Sequence, residues 1–126
     1  MNLLELLNIQ TQTVTGQQAI ITMDVTDAVK QPYGIVHGGI NAVLAETAAS
    51  LSANQWLTDH NRAQIAVGIN ITTQHLFAVS VGQLKTVATP IKIGQRIQTW
   101  RADVYCQKRL TSTSTVTLMN QQRVTH

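Results

Sequence analysis

The alternation of apolar and polar positions switches from helical to strand-like, back to helical, and then stays strand-like to the end of the chain. Leu3, Leu4, Leu6 and Leu7 give residues 3–8 the spacing of a short amphipathic helix that can lie over the edge of a core. Residues 11–15 and 18–25 then read in period two, with Ile21, Met23 and Val25 set against Thr22 and Asp24, and they meet at Thr15-Gly16-Gln17. A hairpin is expected there. Pro32 and Gly34 break the pattern between Thr26 and Val36. Beyond them a run of small and apolar residues reaches about Trp56 or Leu57, which predicts a buried helix capped by Asn41 or by the paired glycines Gly38 and Gly39. Its Ala42, Ala45, Ala48, Ala49, Ser52 and Ala53 would let backbone approach on several sides, as a helix wrapped by a sheet requires.

After the turn-like Asp59-His60-Asn61-Arg62, everything reads as strand. Ile65, Val67, Ile69 and Ile71 alternate with Ala66, Gly68, Asn70 and Thr72; Val87, Thr89, Ile91 and Ile93 follow the same rule, as do Trp100, Ala102 and Val104. A Thr-rich strand from about Leu110 to Asn120 follows a turn at Lys108-Arg109. Long consecutive strands with short turns imply an antiparallel sheet curved around one long helix, an α+β fold. No repeat or linker interrupts it, and 126 residues suit a single domain spanning 1–126.

Composition adds an expectation about assembly. Hydrophobic residues make up 44% and charged ones 12%, which is little charge for a soluble monomer, so another copy of the chain should cover part of the surface. The net charge of +3 conceals an asymmetry: residues 1–84 sum to −3 and residues 85–126 to +6. The basic third would attract anions. Aromatics at 4% provide no stacking platform for nucleic acid, which leaves a small phosphate-bearing ligand or ordinary solvated strand faces. One cysteine, Cys106, excludes an internal disulfide and offers no metal-ligand spacing. The start, Met1-Asn2-Leu3-Leu4-Glu5, lacks a signal-peptide pattern, and the helical run is too polar at both ends for a membrane span; the cytoplasm is expected.

The candidate chemistry lies in the helical run. Between Lys30 and Asp59 stand 28 residues whose only formal charge is Glu46. An ionised side chain in such surroundings is either a paired structural acid or a catalytic one. Gly38 and Gly39 adjoin the start of the helix, where unpaired N–H groups favour negative charge and a missing Cβ admits a ligand carbonyl. Glu46 is eight positions on from Gly38, about 12 Å along a helix axis. One chain's Glu46 and its own Gly38 are too far apart to serve one carbonyl. If both act, they come from different copies. Ser50, at i+4 from Glu46, either reaches that carboxylate or a water beside it, or is a small packing residue. His37 is either a general base or a loop residue that orders the turn by hydrogen bonding. No Ser-His-Asp, Cys-His or phosphate-loop pattern is present.

Gln31, His37-Gly38-Gly39 and Leu44-Ala45-Glu46-Thr47-Ala48-Ala49-Ser50 together resemble the hotdog-fold acyl-CoA thioesterases. The branch is the one holding the PaaI-like enzymes, the Arthrobacter-type 4-hydroxybenzoyl-CoA thioesterase and the 1,4-dihydroxy-2-naphthoyl-CoA thioesterase. His-Gly-Gly alone is weak, but Glu nine residues after the His, Gln six before it and Ser four after the Glu make a specific set. Ala66–Ile71 and Ala88–Gly94 also resemble that family's strands. The resemblance implies a dimer with one continuous sheet, or a tetramer of such dimers, with active sites at the dimer interface. It implies that the Gly38 N–H polarises a thioester carbonyl with help from Gln31, and that Gly39 lines the same substrate site. Glu46 of the partner would attack the carbonyl or activate water, Ser50 would position that water or the carboxylate, and His37 would support the loop. No metal or bound cofactor is implied, since coenzyme A belongs to the substrate. His75, Lys92 and Arg96 become candidates for its nucleotide phosphates, although Gln74-His75-Leu76-Phe77 lacks the arginine the family often carries there. The expected reaction is hydrolysis of an aromatic or medium-chain acyl-CoA, 1,4-dihydroxy-2-naphthoyl-CoA among them. A hotdog dehydratase or hydratase and a non-catalytic acyl-CoA-binding domain are the alternatives.

Overall fold

The computed structural model describes residues 1–123. Helix α1 (Leu3–Leu6) precedes strands β1 (Gln10–Val14) and β2 (Ala19–Asp24), a short 3-10 turn (Asp27–Val29), the long helix α2 (Gly38–Asp59), and strands β3 (Gln64–His75), β4 (Gln83–Ile93), β5 (Ile97–Cys106) and β6 (Arg109–Gln122). The six strands form one antiparallel sheet in the order β1-β2-β4-β5-β6-β3, wrapped around α2. The expected α+β architecture is present, a hotdog fold.

Helix α2 buries Leu44, Ala45, Ala48, Ala49, Ser52, Ala53 and Leu57 against the sheet's inner face. That face presents Ile21 and Met23, Leu84 and Ala88, Trp100, Ala102 and Val104, and Val116 and Leu118. Four alanines along the helix keep the two surfaces close, and large side chains on the strands fill the remaining volume. The hairpin of β1 and β2 approaches the C-terminal half of the helix. Gly16 lies so near Trp56 that a Cβ would stand 3.1 Å from its Cα, and the Ser52 hydroxyl donates to the Thr15 carbonyl at 2.5 Å.

Two β-bulges change which residues face the helix. In β3 the register shifts between Gly68 and Asn70. Before the shift Ala66 and Gly68 face α2; after it Ile71, Thr73 and His75 do. Val67 and Ile69 therefore point outward, 36% and 50% exposed, although the sequence pattern groups them with Ile71. In β4 Leu84, Thr86 and Ala88 line the core and Ile91 is 60% exposed; a similar shift between Pro90 and Lys92 then brings Ile93 back against the core. A bulge inserts one residue into a period of two and so reverses the faces beyond it. The turn between β5 and β6 is Gln107-Lys108, one residue earlier than expected, with φ of 51° and 67° at the two positions, the left-handed pair that a two-residue hairpin uses.

The β4–β5 turn is held by a chain of buried amides. Trp100 Nε1 donates to Gln98 Oε1, Gln98 Nε2 to Asn120 Oδ1, and Asn120 Nδ2 to the carbonyls of Gly94 and Gln95. Asn120→Ala strands the Gln98 amide and frees the turn, so it is expected to lower the free energy of urea unfolding by about 1–3 kcal/mol.

Candidate active site

The helix begins at Gly38, so both glycines lie within its first turn. His37 is its N-cap, its Nδ1 accepting from the Gly39 N–H at 2.9 Å, and Asn41 is one turn inside. The expectation of a cap at Asn41 or the glycines is corrected here: an imidazole nitrogen takes the N–H that a Ser or Asp takes elsewhere. Of the two roles open to His37, ordering the turn is the one its geometry matches.

The Gly38 N–H has no partner among the described residues. It borders a cavity of about 340 Å³ that also contains Gln31, Asn41, His75 and Phe77. Gln31 stands on a loop closed by an antiparallel bridge between Lys30 and Val36, with Gly34 at φ 86° making the reversal. The Gln31 Oε1 accepts from the Tyr33 N–H. With its carbonyl end engaged, Gln31 presents its NH2 end as a donor. The ring of His75 packs on Gly38, 3.0 Å from where a Cβ would be.

Glu46 is elsewhere. Its carboxylate lies over Gly68 of β3, in a cleft of about 480 Å³ shared with Leu4, Thr47, Ser50, Leu51 and Val67. It is half-buried and makes no hydrogen bond or ion pair among the described residues. Of the two expectations for Glu46, a paired structural acid and a catalytic one, the first lacks its partner among the described residues. Ser50 shares this cleft, but its Oγ is held by Asn54 Nδ2 at 3.3 Å. Asn54 also takes both backbone groups of Ala66, through Oδ1 at 2.8 Å and Nδ2 at 3.2 Å, and so ties the helix to the strand beside Glu46. The cleft continues past Ser50 and Leu51 into a further 230 Å³ bounded by Val14, Asn54 and Thr58.

Within one chain the structure therefore brings Gln31, Gly38 and His75 together, and Glu46 and Ser50 together, in two separate clefts. His75 also parts from Lys92 and Arg96. It closes β3 opposite Ser112, whereas the two cations are exposed at the far end of the sheet, around the β4–β5 turn. In the sequence Gly68 is one of the alternating positions of a strand; a glycine there signals close approach without saying of what. A Cβ there would overlap the Glu46 carboxylate, the far end of a flexible side chain. Gly68→Ala is accordingly expected to turn Glu46 away, visible as a moved carboxylate in a crystal structure of the variant, while the melting temperature changes little.

The thioesterase superfamily model matches residues 33–113, which include Gly38, Glu46, Ser50, Gly68 and His75, while Gln31 lies just before them. The chain belongs to the thioesterase superfamily. This thioesterase is 39% identical over 117 residues to ComA2 of Bacillus subtilis, which bears an esterase's name, across 92% of this chain and 91% of that protein. It is 34% identical over 104 residues to the 1,4-dihydroxy-2-naphthoyl-CoA hydrolase of Listeria monocytogenes, covering 82% of each. Among solved structures, a thioesterase of Haemophilus influenzae superposes with a TM-score of 0.88 at 31% identity, over 98% of this chain and 85% of that one. The chain is thus an enzyme, a thioester hydrolase of hotdog fold. Among the described residues no helix is long and apolar enough to cross a membrane.

Proposed function

We propose that the protein hydrolyses an acyl-CoA thioester at a site built from two copies of the chain, with Glu46 of one facing Gly38 and Gln31 of the other. The observation that carries this is the placement of the two half-sites along one open strand. β3 is an edge of the sheet, and Glu46 rests on Gly68 and Gly38 on His75 of that same strand. Antiparallel pairing of two such edges about an axis at Thr72 sets Gly68 against His75 of the partner subunit, because the bulge at Ile69 takes up one residue. Each Glu46 then comes beside the partner's Gly38, on the same face of a continuous sheet.

The chemistry follows from what each half can do. The Gly38 N–H and the Gln31 amide polarise the thioester carbonyl and hold the oxyanion as the C–O bond becomes single. Glu46 either takes a proton from the attacking water or attacks the carbonyl itself, giving a mixed anhydride that water then opens. In both routes the C–S bond breaks, coenzyme A leaves as a thiol and the acyl group as a carboxylate. Ser50, steadied by Asn54, has its hydroxyl proton available for the water or for Glu46. Leu4, Leu51, Ala66 and Val67 give the Glu46 cleft an apolar lining, which suits an aromatic or medium-chain acyl group. The Listeria relative supports a 1,4-dihydroxy-2-naphthoyl group in particular.

The test is thiol release from a panel of aromatic and aliphatic acyl-CoAs, read with a thiol-reactive dye. Turnover on aryl or medium-chain members is expected. Hydration of an enoyl-CoA without thiol release, or saturable binding with no turnover anywhere on the panel, would overturn the reading.

A further inference from the structure

His75 ends β3 with its ring against Gly38. A Cβ built on Gly38 would stand 3.0 Å from Nε2 and Cε1 but 3.6 Å from Nδ1, so Nε2 is among the ring atoms turned toward the glycine. The other nitrogen, Nδ1, lies 3.2 Å from Nδ2 of Asn41. Asn41 is 8% exposed, and its side chain makes no other hydrogen bond among the described residues. An amide NH2 can only donate, so Nδ1 is the acceptor. A neutral imidazole that accepts at Nδ1 carries its proton at Nε2.

We propose that Asn41 fixes His75 in the Nε2–H tautomer, and that this N–H is a third donor to the thioester carbonyl beside the Gly38 N–H and the Gln31 amide. The carbonyl role rests on the thioesterase reading; the tautomer does not. The sequence grouped His75 with Lys92 and Arg96 as a contact for phosphate, but its place in the fold is at the carbonyl end of the substrate site. Asn41 acts through His75 and is a positioning residue. No charge is needed for this arrangement, because a neutral N–H already aimed at the developing oxyanion needs no reorganisation as the charge forms.

The tautomer is read directly in substrate-free protein labelled with 15N at histidine. Two-bond proton–nitrogen correlations are expected to show His75 protonated at Nε2 and bare at Nδ1, assigned by the loss of its signals in His75→Gln. In Asn41→Asp the carboxylate accepts, and Nδ1 is expected to gain a proton. In turnover, His75→Phe keeps a flat ring on Gly38 without a donor and is expected to lower kcat about 100-fold with KM changed less than about threefold. His75→Gln, which returns an N–H, is expected to recover roughly tenfold of that. A native Nδ1–H tautomer, or a His75→Phe enzyme within about threefold of native kcat, overturns the proposal. A native protein inactive on every acyl-CoA overturns the carbonyl role together with the thioesterase reading, and the spectrum still decides the tautomer.

Discussion

Glu46→Gln is expected to lower thiol release from an acyl-CoA by roughly 100- to 10,000-fold, the span that loss of a general base covers, or by more if the carboxylate is the nucleophile. The same change should leave the melting temperature unaltered or raise it. A half-buried carboxylate with no hydrogen bond or ion pair among the described residues contributes desolvation cost and no compensating contact, and the amide has nearly its shape. The combination is informative because the two readouts move oppositely to those of a structural acid, whose loss would cost stability first. Activity retained by both Glu46→Gln and Glu46→Ala would remove Glu46 from the chemistry. Such an unpaired acid is the usual signature of a site kept for function at the expense of stability.

Glu46 and the glycines were legible in the sequence because each violates a local rule. A lone charge in an apolar run and two glycines at a helix start are anomalies that need no tertiary information. The helix, the hairpin and most strands were legible for the complementary reason, that their periods are strong. The bulges were not. Each adds one residue to a strand of ordinary composition, and the apolar set of β3 looks unbroken from Ile65 to Ile71 although only its last member and the small residues Ala66 and Gly68 face the helix. His75, Asn41 and Asn54 were missed as site residues or misplaced because their meaning comes from partners far along the chain. Asn41 meets His75 34 positions away, and Asn54 meets Ala66 12 positions away. No spacing rule within a helix or strand reports such a pair.

The proposed pairing of the two half-sites in a homodimer makes a prediction that no single chain can satisfy. Gly38→Ala pushes a methyl into the His75 ring and spoils the carbonyl pocket, while Glu46→Gln spoils the other half; each homodimer is expected to be inactive. Mixed, unfolded and refolded together in equal amounts, the two variants should regain about a quarter of native activity, because half of the dimers pair one chain of each kind and each such dimer has one intact site and one doubly damaged site. Two inactive proteins becoming an active one is a large signal against a low background, and it is specific to composition from two chains. If each chain held a complete site, with Glu46 reaching its own Gly38, no mixture would recover. The carboxylate would have to cross about 12 Å of helix axis, two turns, to do so. The same experiment with both substitutions on one chain and a native partner supplies the control: there the intact Glu46 and the intact Gly38 belong to the same chain, each faces a damaged half, and the mixed dimer should add nothing to the activity of the native dimers beside it.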